Sequence, residues 1–134
     1  MQKDAYQRLC MPSAAVSLKV EPMSRLFRAL GDETRLRIVA LLTHGELCVC
    51  HVQEALGLTQ PNASQQLAVL RNAGVVESRR QGGWVYYRLA GQALPERARQ
   101  LRAVVAAFNK QEALRRDVER LVATRGPGAC AEKP

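Results

Sequence analysis

At 134 residues the chain is long enough for one domain of ordinary size, or a smaller one with tails, and leaves no room for a second core. A formal net charge of +8 favours a polyanionic partner such as nucleic acid. No apolar run approaches the roughly 18 residues of a membrane span, and no charged, apolar and small-residue leader opens the sequence, so a cytoplasmic protein with no membrane partner is expected, whose four cysteines are free thiols, metal ligands or redox sensors rather than a disulfide framework.

Residues 1–20 are weakly patterned and read as a flexible arm holding Cys10 and Pro12. Met23, Leu26, Phe27 and Leu30 are spaced as one helix face, with Gly31 as a stop and Asp32 as the next N-cap. The segment "ETRLRIVALL" predicts a second helix that buries Leu36, Ile38, Val39 and Leu42. "LCVCHVQEAL" predicts a third, ended by Gly57, and Thr59 caps a fourth, "QPNASQQLAVLRNA", in which Pro61 falls in the first turn where a missing N–H costs little. Gly74 stops it. The period then changes: "VVESRR" and "WVYYRL" are strands joined by the tight-turn signal Gln81-Gly82-Gly83, and at least one of Trp84, Tyr86 and Tyr87 should pack on the body.

A single long helix is expected next, carrying Leu94, Ala98, Leu101, Val105 and Phe108, and then Leu114, Val118 and Leu121, at three- and four-residue intervals within each set. That stripe exceeds what so small a core needs, which predicts a homodimer held through residues 92–122, with Leu94, Leu101, Val105 and Phe108 facing the partner. The domain should therefore span residues 21–122, followed by a flexible tail over 123–134 that contains Cys130.

Two short helices joined by "GLT", the second opening on polar residues, have the layout of a helix-turn-helix. Gln60, Asn62, Ser64, Gln65 and Gln66 offer amide and hydroxyl groups able to read base edges of double-stranded DNA in the major groove, and Arg71 suits a phosphate. The hairpin carries Arg79 and Arg80 just before its tip, as a wing that grips the DNA backbone would. The fold class expected is mostly α with a small β-hairpin, a winged helix-turn-helix dimerised through terminal helices.

One stretch resists this scheme. "ELCVC" places two cysteines one residue apart in what reads as an ordinary helix, and positions i and i+2 point roughly 200° away from each other. Thiolates on one soft ion, at the zinc–sulfur distance of about 2.3 Å, must lie within roughly 4 Å of each other. Ion capture by Cys48 and Cys50 is accordingly expected to unwind the first turn of the helix that supports the reading helix, so that ion and DNA compete through one backbone.

The stretches "ALGDETRLRIVALL", "ELCVCHV", "TQPNASQQLAVLRNAGVV" and "RRQGGWVYYRL", together covering about residues 22–90, resemble the ArsR/SmtB winged-helix metal-sensing repressors, and "ELCVC" resembles the arsenite branch most. The resemblance implies a homodimer on an operator, released when a thiophilic ion, As(III) or Sb(III) ahead of Cd(II) or Pb(II), binds Cys48 and Cys50, with no permanent cofactor. The chain departs from the family in two places. Gln53 stands where the closest arsenite repressors have a third cysteine, and no histidine follows His51, so the zinc site that some relatives build on the last helix is not expected. Cys10 is expected to complete the site from the other subunit, as arm cysteines do in cadmium/lead relatives, with Cys130 or solvent as the alternatives. His51 is read as an exposed helix histidine rather than a ligand, and His44 receives no role. A redox or sulfide sensor on the same fold is the runner-up. A thiol oxidoreductase is the weakest reading, since the chain has no strand-then-helix redox motif and no phosphate loop.

Overall fold

Two helices begin where the sequence supplies a capping side chain, Asp32 and Thr59. The computed structural model describes residues 19–91, 95–108 and 110–125. Helix α1 (Val20–Leu30) buries Leu26, Ala29 and Leu30, but Phe27, expected on the same face, is 58% exposed. The Asp32 side chain accepts a hydrogen bond from the backbone N–H of Arg35 at 3.1 Å and opens α2 (Glu33–Leu42), whose last five residues are all buried. Helix α3 (Val49–Leu56) ends at Gly57, which takes the left-handed conformation that a side chain would strain. The Thr59 hydroxyl accepts from Asn62 N at 3.3 Å and starts α4 (Gln60–Asn72), which turns Ala63, Leu67 and Leu70 inward along one stripe.

Strands β2 (Val76–Gln81) and β3 (Trp84–Leu89) pair antiparallel, with Gln81 opposite Trp84. Gly82 and Gly83 both have positive φ, the requirement of the two-residue turn that matches strand twist. The hairpin is not alone: a two-residue strand β1 (Leu47–Cys48) adds to the other edge of β3, giving the order β1-β3-β2 with Leu47 opposite Tyr87 and Cys48 opposite Tyr86. The expected third helix therefore starts two residues late, because backbone bonds to β3 hold Leu47 and Cys48 extended.

The single terminal helix is corrected to two. Helix α5 (Pro95–Ala106) closes with the N–H groups of Ala107 and Phe108 bonded to the carbonyls of Val104 and Val105, and α6 (Glu112–Arg125) follows after a turn. The reason is tertiary. Helix α6 packs along α3 and touches α2, tied by the Asp117 carboxylate on Arg37 and by Arg120 Nε donating to the Ala55 carbonyl at 2.9 Å. A straight helix could not make those contacts.

The core has Ile38, Leu41, Leu47, Val52, Leu67, Leu70, Val75 and Leu101 with almost no exposed surface. Side chains of this size contribute about 1.5–3 kcal/mol each on burial, so the helix-turn-helix, the wing base and α5 share one stabilising cluster. Leu101 and Val105 lie in that cluster, buried within the protomer, and their helix α5 packs on α2. Phe108 is half-buried against the same cluster. Leu94, the arm with Cys10 and the tail with Cys130 fall outside the described residues.

Candidate functional site

Cys48 is the N-cap of α3, with the extended dihedrals φ −85° and ψ 165°, and Cys50 lies in the first turn. A cap residue is not yet on the helical spiral, so the opposition of i and i+2 does not apply to this pair. The structure joins the two thiols as a disulfide, with Cα atoms 5.5 Å apart. The expectation that the first turn must unwind before both sulfurs can serve one centre is overturned: the strand-to-helix joint already brings them together.

His51 is corrected too. It is buried, at 5% exposure, and its Nδ1 stands 3.5 Å from Cys48 Sγ. Cap and N3 side chains meet at this spacing in any helix start, as in the capping box, so Cys-x-x-His becomes a signal only once Cys48 is known to be the cap. The two sulfurs and a ring nitrogen of His51 all lie within 4.8 Å of one another, a separation that one bound ion could span. Cys48 is buried and Cys50 half-buried, so the donors open to solvent on the Cys50 side.

From this centre, contacts run outward to the two elements expected to meet DNA. Across the sheet, Cys48 stands opposite Tyr86, and Tyr86 opposite Arg79. The Arg79 guanidinium lies 4.7 Å from the Tyr86 ring centroid and binds the Glu46 carboxylate with Nε at 3.0 and 2.9 Å from its two oxygens, while Nη1 donates to Gln81 Oε1. Those hydrogen bonds hold the Glu46 carboxyl below its ordinary pKa and raise that of Arg79. Arg79 thus fastens the wing to the residue two places before Cys48. Arg80 is exposed and makes no side-chain hydrogen bond among the described residues.

Along the chain, α3 leads through the Gly57–Leu58 turn into α4. Gln60, Asn62, Gln65 and Arg71 are exposed on it. Ser64 is half-buried and accepts from Gln60 Nε2 at 3.0 Å. Gln66 is occupied on both ends: its oxygen accepts from Arg35 Nη1 at 3.0 Å and its nitrogen donates to Asn62 at 3.1 Å. Arg35 also donates to the Ala29 carbonyl, so one side chain ties α1, α2 and α4 together. Gln65 is exposed and makes no side-chain hydrogen bond among the described residues.

A helix-turn-helix with a three-stranded wing and a basic surface defines a DNA-binding transcriptional regulator of winged-helix type, not an enzyme. Residues 32–78 match the family profile "Bacterial regulatory protein, arsR family". The arsenic resistance transcriptional regulator ArsR1 of Pseudomonas putida is 43% identical over 79% of this chain and 85% of its own length. The arsenical resistance operon repressor of Escherichia coli is 54% identical over 49% of this chain and 57% of its own. Among solved structures, a homodimeric winged helix-turn-helix DNA-binding domain from Mycobacterium bovis superposes with a TM-score of 0.60 at 34% identity, covering 72% of this chain and 92% of that one. The chain belongs to the ArsR family of transcriptional repressors.

Proposed function

We propose that the chain is a homodimer that holds operator DNA with α4 and the wing, and that it releases that DNA when a thiophilic metalloid, As(III) or Sb(III) ahead of Cd(II) or Pb(II), is captured by Cys48 and Cys50. The observation that supports this most is the double membership of Cys48, which pairs with Tyr86 in the wing sheet and caps α3, the helix packed on α4. Such an ion supplies a soft centre that prefers thiolate sulfur to oxygen or imidazole. Cys48 and Cys50 offer two thiolates at the joint between sheet and helix, and Cys10, on the arm, is the candidate for the third. Holding both sulfurs on one centre fixes the backbone of the joint, and any displacement there is passed to Arg79 through β1 and to Gln65 through α3. A coupling of about 1–3 kcal/mol, or roughly 5- to 150-fold in operator affinity, is sufficient for release.

The test is fluorescence anisotropy of labelled DNA from upstream of the regulated genes, titrated with arsenite under thiol-reducing conditions. Release at arsenite stoichiometric with the protein is expected, and persistence of the complex would remove the metalloid reading. The disulfide favours one second reading, a thiol redox sensor. In that reaction each thiol gives up one hydrogen, a sulfur–sulfur bond forms, and a peroxide is reduced to two waters. Release by peroxide with no response to arsenite would select it.

The roles on DNA are separable. Arg80→Ala should weaken binding to all sequences and flatten the salt dependence, whereas Gln65→Ala should change base preference by about 1–3 kcal/mol per lost contact. Equal losses on specific and random DNA from both substitutions would contradict the assignment. For the dimer, the described residues leave Val20 (85% exposed), Phe27 and Val122 as the large exposed apolar side chains of the terminal helices. Phe27→Asp, present in both protomers, should raise the dimer dissociation constant by roughly 10³-fold in analytical ultracentrifugation, the effect of losing two aromatic anchors worth about 2 kcal/mol each. An unchanged constant would place the interface elsewhere.

A further inference from the structure

His51 is not used by the metalloid reading, yet it is buried beside the thiol pair. We propose that Cys48, Cys50 and His51 form a complete donor set for a divalent thiophilic cation, one that needs neither Cys10 nor Cys130. The proposal rests on the assignment of the thiol pair as the sensing centre, and it names the third ligand by which that centre would take the divalent ions placed second among its effectors.

Geometry comes first. A cation bonded to sulfur at about 2.3 Å and to imidazole nitrogen at about 2.0–2.1 Å in tetrahedral array holds the two donors about 3.6 Å apart. Cys48 Sγ and His51 Nδ1 are 3.5 Å apart, and all three donors lie within 4.8 Å of one another. The Cα separation of 5.5 Å leaves the two reduced sulfurs free to take the roughly 4 Å spacing of thiolates on one ion. The backbone is already set, with Cys48 held by β3 and His51 by the first turn of α3.

Charge then decides which ion the set suits. Cys48 has no exposed surface and His51 only 5%, and net charge in such a place is costly. Two thiols that release two protons to solvent contribute two negative charges and cancel a divalent cation, with a neutral imidazole as the third ligand. A trivalent centre on the same three donors keeps one positive charge. It reaches neutrality only with a third thiolate or a hydroxide, which is why the metalloid must recruit a further donor and the divalent cation need not. Imidazole also suits borderline divalent ions better than As(III). The resulting division is sharp: divalent binding depends on His51 and not on Cys10, and metalloid binding the reverse.

The experiment uses the full chain, reduced and metal-free, titrated with Cd(II) against a chelator and with Co(II) for its absorption spectrum. In the wild type, Co(II) should give thiolate charge-transfer absorption together with the visible bands of a tetrahedral ion. His51→Gln should lower Cd(II) affinity by at least about 10- to 100-fold, the range already reached when residues outside the direct ligands of a metal site are changed. It should also alter the Co(II) bands, while arsenite binding is kept. Cys10→Ser should leave the Cd(II) affinity unchanged. Wild-type Cd(II) affinity and Co(II) spectrum in His51→Gln overturn the proposal, as does a Cys10→Ser loss equal to that of Cys48→Ser. If His51→Gln loses arsenite as well, His51→Cys decides: recovered Cd(II) binding with a three-sulfur spectrum upholds the position as a ligand, and no recovery overturns it. Failure of arsenite to release the operator, with His51-dependent Cd(II) binding intact, would remove the metalloid reading and leave this one standing.

Discussion

Cys48→Ser is expected to give a repressor that binds its operator as the wild type does and stays on it when arsenite is added. The fold should survive because of where Cys48 sits. It is the N-cap of α3, and its side chain makes no capping hydrogen bond. Serine is among the preferred N-cap residues, its oxygen accepting from the second or third helical N–H, so the buried hydroxyl gains a partner in place of the thiol. The pairing of β1 with β3 uses backbone atoms and is indifferent to the change. What is lost is one of two adjacent thiolates, and with it the chelate that makes the site prefer a thiophilic ion. Anisotropy should show operator affinity within about twofold of wild type, a difference of roughly 0.4 kcal/mol, and no arsenite-driven release at concentrations that free the wild type completely. Cys130→Ser should behave as the wild type. Cys10→Ser should lose most of the arsenite response, and a full response from it would show that the third donor is not Cys10. Arsenite release by Cys48→Ser itself would move the sensing centre elsewhere in the chain.

The parts of the fold that local chemistry dictates were readable from the sequence. Thr59 and Asp32 cap the helices they precede, Pro61 falls in a first turn, and Gly82-Gly83 closes the hairpin between the strands named for it. Each of these signals concerns residues within a few places of one another. The features that were not readable depend on distant partners. Strand β1 has two residues, and nothing in "LC" marks it as extended until Tyr86 and Tyr87 lie alongside. That short pairing moves the start of α3, and so turns Cys48 and Cys50 from opposed helix positions into neighbours and brings His51 in beside them. The division of the terminal helix was hidden for a similar reason. Leu101, Val105 and Phe108 keep helical spacing, as do Leu114, Val118 and Leu121; the six-residue step between the two sets hints at a break, but the sequence alone does not say that the second half folds back on α3. The same fold-back gives the apolar residues of the two halves different neighbours, α2 for α5 and α3 for α6.

That fold-back hangs on Asp117, and Asp117→Ala is expected to destabilise the protein by about 3 kcal/mol, the lower end for removing one partner of a buried ion pair. The carboxylate is 1% exposed and accepts three hydrogen bonds: from Arg37 Nε at 2.9 Å, from Arg37 Nη2 at 2.7 Å, and from Arg120 Nη2 at 3.0 Å. The fork of Arg37 on Asp117 is bidentate and joins α6 to α2, two elements 80 positions apart in sequence. The bond to Asp117 also raises the Arg37 pKa against the opposing effect of desolvation, so the guanidinium is stabilised by a partner that alanine removes. Arg37 keeps 23% of its side-chain surface in water, which is why the lower end of the range applies. Asp117→Asn retains an acceptor and the side-chain shape while deleting the charge, and should cost less, about 1.5 kcal/mol. Urea unfolding at a fixed protein concentration should show the midpoint falling in the order wild type, Asn, Ala with no change in slope, and the alanine variant should melt roughly 10–15 °C lower. Since α6 covers α3, the sensing helix should loosen with it, so Asp117→Ala should also increase hydrogen exchange at the amides of Val52 and Ala55 more than at those of Leu67 and Leu70. Equal midpoints for Ala and wild type would mean that the pair's desolvation cancels its attraction, and that apolar packing of Leu114 and Leu121 alone holds α6 in place.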